Sequence, residues 1–287
     1  MKTAIINGRI ITPHRILDQA SLVMEDGVIE GIVKGRKPEA DCYIDAQWSY
    51  VSPGFIDIHT HGGGGHDFMD GSPEAIIKAC MAHLAHGTTS ICPTTLTCTD
   101  EELLTFFGCY REARKQMENG PELLGIHLEG PYFSLEQRGA QDPQYIKVPA
   151  QDDYKKLLDA SDDIIRMSAA PELEGAMELA DELKARGILA SIGHSDATYA
   201  HVIEAWERGY THVTHLYSGM STIRRINAYR HLGVIESAYL IDGMTVEIIA
   251  DGKHLPPELL RFIVKMKPIE DICLVTDSMR GAGMDDG

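Results

Sequence analysis

The chain has 287 residues, 44% hydrophobic and 24% charged, the composition of a globular protein with a large core. Its formal charge of −17 argues against nucleic acid as a partner, because phosphate-binding surfaces are basic. No apolar run approaches the roughly 20 residues of a membrane span. The opening residues reach the turn-type pair Asn7-Gly8 too early for a signal peptide, so a cytoplasmic location without membrane contact is expected. The six cysteines (42, 80, 92, 98, 109 and 273) form no C-x-x-C pair and are expected to be reduced, small core residues.

Residues 1–50 read as a small β domain, an incomplete β-sandwich. Asn7-Gly8 and Asp26-Gly27 are turn pairs flanked by strand-like runs, and nothing there has helical periodicity. From residue 51 to 287 the pattern alternates strand and helix. Strand-like runs are Phe55–His59, Thr88–Thr95, Leu123–Glu129, Ile164–Ala169, Ile188–His194, Thr211–His215, Val246–Asp251 and Ile272–Asp277. Helices are expected after Ser72-Pro73 as far as Gly87, and after the capping-box pattern Thr99-Asp-Glu-Glu102. Three more are expected over Glu172–Arg186, Thr198–Arg208 and Pro256–Lys267. Eight strands with helical crossovers predict an α/β fold, a TIM-type (β/α)8 barrel lacking its C-terminal part, because only ten residues follow the eighth strand.

Polar residues at the strand ends decide for a barrel over an open sheet. His59 and His61 are separated by one residue at the end of an extended run, so both side chains share a face. The four glycines Gly62 to Gly65 are expected to leave an open mouth above them. Glu129, His194 and His215 end three further strands and form a donor set typical of catalytic zinc. With Glu129 bridging, His59 and His61 supply enough donors for a second ion. Asp277, ending the last strand, is the candidate base. Only a barrel brings all these ends to one point. Asp57 reads as structural, and His83, His86, His201 and His231 as solvent-facing.

The segments Pro53–Gly62, His127-Leu-Glu-Gly-Pro-Tyr-Phe133, Gly193-His-Ser195, Thr214-His-Leu-Tyr217, Ile249–His254 and Leu274-Val-Thr-Asp277 resemble the N-acetylglucosamine-6-phosphate deacetylase family of the amidohydrolase superfamily. The resemblance runs in order over the whole chain. It implies hydrolysis of the acetamide of a 6-phosphorylated amino sugar in amino-sugar catabolism, releasing acetate. It also implies a homodimer. The implied cofactor is a divalent metal, one or two ions per chain; zinc comes first, and iron, manganese or cobalt also suit the donors. Glu129, His194 and His215 bind the principal ion, Asp277 is the acid/base, and His254 contacts the sugar.

Three departures from the family pattern fall on expected substrate contacts. Gln141 stands where the family has a histidine that polarises the amide carbonyl. Ser218-Gly219 replaces Asn-Ala after His-Leu-Tyr. Arg224-Arg225-Ile-Asn-Ala-Tyr-Arg230 replaces the usual phosphate segment, leaving Arg225 and Arg230 as candidate phosphate donors. Alternatives are an amidohydrolase for another acetylated amino sugar, such as N-acetylgalactosamine 6-phosphate, or for a cyclic amide, or a shortened chain of impaired activity.

Overall fold

The computed structural model describes residues 1–284. It contains two compact units, Met1–Phe55 and Ile56–Gly287. The first is one five-stranded sheet of Lys2–Ile11, Ile16–Glu25, Val28–Lys34, Cys42–Asp45 and Tyr50–Val51. The first three strands pair antiparallel, and the last two lie parallel to the first. Asp26-Gly27 makes the expected hairpin turn, with φ of 48° and 82° at its two central residues. Asn7-Gly8 does not. It lies inside the first strand, where the pairing register shifts on both sides of Gly8. A side chain at Gly8 would approach Val51 Cγ2 to 2.8 Å, so this glycine serves close packing within the sheet. Cys42 is exposed in this sheet, unlike the buried Cys80 and Cys92.

The eight expected strands appear as Phe55–Thr60, Thr88–Pro93, Ile126–Glu129, Ile164–Ala169, Leu189–Ile192, Tyr210–Val213, Thr245–Ile249 and Ile272–Val275. The last six form one parallel sheet in sequence order, a half-barrel. The first two lie in a separate sheet with the short strand Glu122–Leu123. A parallel bridge between Thr94 and His127 joins the sheets on one side. On the other, the Asp277 amide donates to the His59 carbonyl at 2.9 Å. The ends of the first and eighth strands therefore meet, as convergence of the site requires.

The helices follow their caps. Pro73–Leu84 starts under the Ser72 hydroxyl, and Asp100–Gln116 under a reciprocal Thr99–Glu102 box. The helix expected from Glu172 begins only at Ala176. Gly175 precedes it at φ 84°, and a Cβ there would lie 2.1 Å from the Pro149 carbonyl oxygen. Gln151–Asp159 and Val234–Leu240 are short additional helices, and neither opens on a side chain that caps it through its own oxygen. Among the described residues no helix is long and apolar enough to cross a membrane.

The strands carry two different faces. Leu128, Met167, Ile192, Val213 and Val246 join one apolar cluster with Ile76, Phe106, Leu179 and Val202 of the helices. The alternate positions are polar and equally buried: His127, Arg166, Ser168, Ser191, Thr214 and Glu247. Arg166 ties this interior together. It donates to Ser191 Oγ at 2.9 Å, Thr214 Oγ1 at 3.0 Å and the Ile58 carbonyl at 3.3 Å, and it pairs with Glu247. One side chain thus links the first, fourth, fifth, sixth and seventh strands.

Burial pushes the Glu247 carboxyl up, but the Arg166 guanidinium and the His59 ring hold it well below its ordinary 4.5. Removing one partner strands the other charge, so Arg166→Met should cost about 3–5 kcal/mol, whereas Arg166→Met/Glu247→Leu should be near neutral. Denaturant titration of the metal-free variants checks this. A carboxyl with a depressed folded-state pKa stabilises the fold above its unfolded value and loses that contribution as pH falls. Stability of the unsubstituted protein should therefore decline below about pH 4.5, and less steeply in the double variant. Chemical denaturation between pH 3 and 6 reads the difference.

Candidate metal centre

The first, third, fifth, sixth and eighth barrel strands each bring a donor to one point. Glu129 is at the centre, 2% exposed along its side chain. Its Oε1 lies 3.0 Å from His215 Nε2, 3.3 Å from His194 Nε2 and 3.4 Å from His59 Nε2. Its Oε2 lies 3.5 Å from His61 Nε2. Asp277 Oδ1 approaches His61 Nε2 to 3.1 Å and His59 Nε2 to 3.4 Å. Three overlapping sets of donor atoms lie within 4.8 Å: His59/His61/Glu129, His59/His215/Asp277 and Glu129/His194/His215.

The donors suit a divalent ion. The Nε2 of His59 is buried, aimed into the cluster and without a hydrogen-bond partner among the described residues. Leaving such an atom unpaired costs free energy unless something else binds it. Imidazole and carboxylate are also the donors that zinc and its neighbours take in hydrolytic sites.

The backbone is bent to make this approach. His194, His215 and Asp277 have φ of 45°, 28° and 47°, in the left-handed region that non-glycine residues seldom enter. Each ends its strand with this turn, which swings the side chain over the barrel end. Such outliers cost of order 1–3 kcal/mol each and cluster at functional sites. His194 is further fixed by Nδ1 donation to the Gln137 carbonyl at 2.9 Å. A Cβ on Gly219 (φ 55°) would lie 2.8 Å from that nitrogen, so glycine makes room for the ring.

Charge balance sets the protonation of the acids. Burial pushes the Glu129 carboxyl up, but His59 and the hydrogen bonds from His194 and His215 hold it well below the ordinary range. Asp277 behaves similarly: burial raises it, while His59 and the bond to His61 bring it below its usual 3.8. Both are carboxylates at neutral pH.

Several expectations require revision. Gly62 and Gly63 do not form an open mouth; they are buried, and a Cβ on Gly62 would strike the His66 carbonyl oxygen at 2.3 Å. The amides of His61, Gly62, Gly64 and Gly65 donate to carbonyls of residues 278–282, so this loop is clamped. His83 is not solvent-facing but buried, with Nε2 3.1 Å from both Thr60 Oγ1 and the Gly62 carbonyl. Its helix buries Ile76, Ala79, Cys80 and His83, spacing that marks His83 as an inner position. Asp57 is structural, accepting from Thr276 Oγ1 at 2.5 Å.

The expected substrate contacts divide into two groups. Gln141 is buried beside the cluster, donating Nε2–H to Glu129 Oε2 at 2.7 Å and accepting from the Thr97 amide at 2.8 Å. The Ser218 amide donates to the His215 carbonyl. Arg225 and Arg230 face each other across an exposed two-stranded ribbon, Arg224–Ile226 with Tyr229–His231. Neither has a carboxylate partner among the described residues, whereas neighbouring Arg224 pairs with Asp196. His254 is exposed and bonded to Asp251 at 2.9 Å. Among the described residues no hydrogen bond or ion pair links Arg225, Arg230 or His254 to the cluster. Sequence reading missed Glu247, Arg166 and His127, which underlie it. The polar-apolar alternation of their strands was the available signal.

Residues 50–283 match the profile of the amidohydrolase family. The N-acetylglucosamine-6-phosphate deacetylase of Bacillus subtilis (strain 168) is 35% identical over 285 residues, covering 97% of this chain and 71% of the relative. The N-acetylgalactosamine-6-phosphate deacetylase of Escherichia coli O157:H7 is 32% identical, over 97% of this chain and 72% of its own length. Among solved structures, a mutant N-acetyl-D-glucosamine-6-phosphate deacetylase from Mycobacterium smegmatis, in complex with N-acetyl-D-glucosamine-6-phosphate, superposes with a TM-score of 0.88 at 29% identity. That match covers 100% of this chain and 73% of the other. With this metal-type cluster, and likeness to the deacetylases along nearly its whole length, the chain belongs to the amidohydrolase family.

Proposed function

We propose that this chain hydrolyses the acetamide of N-acetylglucosamine 6-phosphate to glucosamine 6-phosphate and acetate, with one or two divalent ions, zinc first among them, in a homodimer. The observation that carries the reading is the placement of Asp277 Oδ1 beside the buried His/Glu donors, at the site's most accessible point. The Asp277 side chain is 19% exposed, against 9% or less for Glu129 and the four histidines.

Glu129, His194 and His215 would hold one ion, and His59 and His61, with Glu129 shared, a second. There an ion would supply an activated water as nucleophile at neutral pH, since metal binding lowers the pKa of water to about 7. Asp277 is ionised and so takes the proton from the attacking water. It then delivers that proton to the amine nitrogen, which leaves as a neutral amine rather than as a poor amide anion. Gln141 has spent one amide hydrogen on Glu129 and its oxygen on Thr97, leaving one N–H to meet the acetamide oxygen.

The ribbon supports an anionic substrate. Like charges directly opposite on paired strands repel, and Arg225 and Arg230 carry that repulsion with no carboxylate partner among the described residues. A phosphate accepting from both guanidiniums would remove it, in a protein whose general field repels anions. A second reading is the C4 epimer, N-acetylgalactosamine 6-phosphate, favoured by the Escherichia coli O157:H7 relative at 32% identity. Comparing the two epimers as substrates separates these readings.

Asp277→Asn should lower kcat by about 10²–10⁴-fold while the metal content stays unchanged. Near-unaltered turnover would remove Asp277 from the role of base. Arg225→Ala and Arg230→Ala should each raise KM for the phosphorylated sugar at least about tenfold, matching the loss of a hydrogen bond to a charged group, with little change in kcat. An unchanged KM would place the phosphate elsewhere.

A further inference from the structure

We infer that Glu247 is a positioning residue that sets the tautomer and aim of His59 and thereby its strength as a metal ligand. The inference rests on the metal-centre reading above. Glu247 is fully buried on the seventh barrel strand. Its Oε2 lies 2.9 Å from His59 Nδ1 and accepts the His215 amide at 3.0 Å, while its other oxygen pairs with Arg166.

The chemistry of this arrangement allows one outcome. An ionised carboxylate only accepts hydrogen bonds. Arg166, which is always charged, keeps Glu247 ionised. The proton of a neutral His59 must then sit on Nδ1, and the lone pair on Nε2. That nitrogen, without a hydrogen-bond partner among the described residues, is aimed at Glu129 and Asp277. The same oxygen holds the His215 amide, pinning a residue whose φ of 28° is strained. Glu247 therefore acts on two candidate ligands at once, without facing the centre. Partners of this kind raise the basicity of a ligating imidazole and fix its ring.

The test compares two double variants, Arg166→Met/Glu247→Leu and Arg166→Met/Glu247→Gln. Both remove the buried charge pair, but only glutamine keeps an acceptor for His59 Nδ1–H. Zinc is titrated into metal-stripped protein against a competing chelator, with no sugar present, so the result is independent of which substrate is hydrolysed. The leucine variant should bind the ion that uses His59 about 10–100-fold more weakly than the unsubstituted protein. The glutamine variant should recover most of that loss. Equal affinities for the two variants would overturn the inference, since packing alone would then account for Glu247. Nitrogen-15 spectra of the zinc-loaded, unsubstituted protein decide the matter even if the variants fail to fold. His59 should carry its proton on Nδ1, and a proton on Nε2 would overturn the inference.

Discussion

A buried charge must be paired, and that requirement organises the interior of this barrel. Arg166 and Glu247 neutralise one another at its centre, and the arginine's remaining donors bind groups on the first, fifth and sixth strands. Desolvating such a pair is costly, so it adds little net stability. What it contributes is arrangement. Above it, Glu129 and Asp277 are balanced by imidazoles rather than by fixed cations. Imidazoles can give up their protons to an incoming ion, so this upper layer can exchange protons for metal while the lower one cannot.

Backbone strain follows the same division. The lower layer sits within regular strands. The upper layer includes three residues at strand ends, His194, His215 and Asp277, all with left-handed φ. Leaving the strand in this way turns the side chains over the barrel mouth instead of into its wall. Several supports hold the bent positions: the Gln137 carbonyl on His194, Glu247 on the His215 amide, and the His59 carbonyl on the Asp277 amide. The fold supplies many weak constraints to maintain a few costly conformations.

Much of this was legible in the sequence because it depends on local rules. Strand alternation placed His59 and His61 on one face, and helix caps at Ser72 and Thr99 marked helix starts accurately. Asp26-Gly27 was a turn because both residues tolerate positive φ. The misreadings have non-local causes. Asn7-Gly8 carries the same local signal, and Asn7 does take a φ of 54°, but strand pairing before and after it carries the strand through an irregularity instead of reversing it. Gly62 is small because the His66–Asp67 backbone packs on it and Gly63 because the His83 ring lies against it, which only the folded topology reveals. Arg166 and Glu247 lie 81 residues apart, and nothing local pairs them. His83 follows Ile76, Ala79 and Cys80 at helical spacing, a local signal for burial that its polarity masks.

The cluster around Glu129 and Asp277 has the make-up of a hydrolytic metal centre, and its proposed substrate is an acetylated amino-sugar phosphate. Acetate release from N-acetylglucosamine 6-phosphate and from unphosphorylated N-acetylglucosamine, by purified protein of known metal content, tests that proposal most directly. Metal-dependent turnover of the phosphorylated sugar, and little of the other, is the expected result. Fully metal-loaded, folded protein that releases no acetate from either sugar would contradict it.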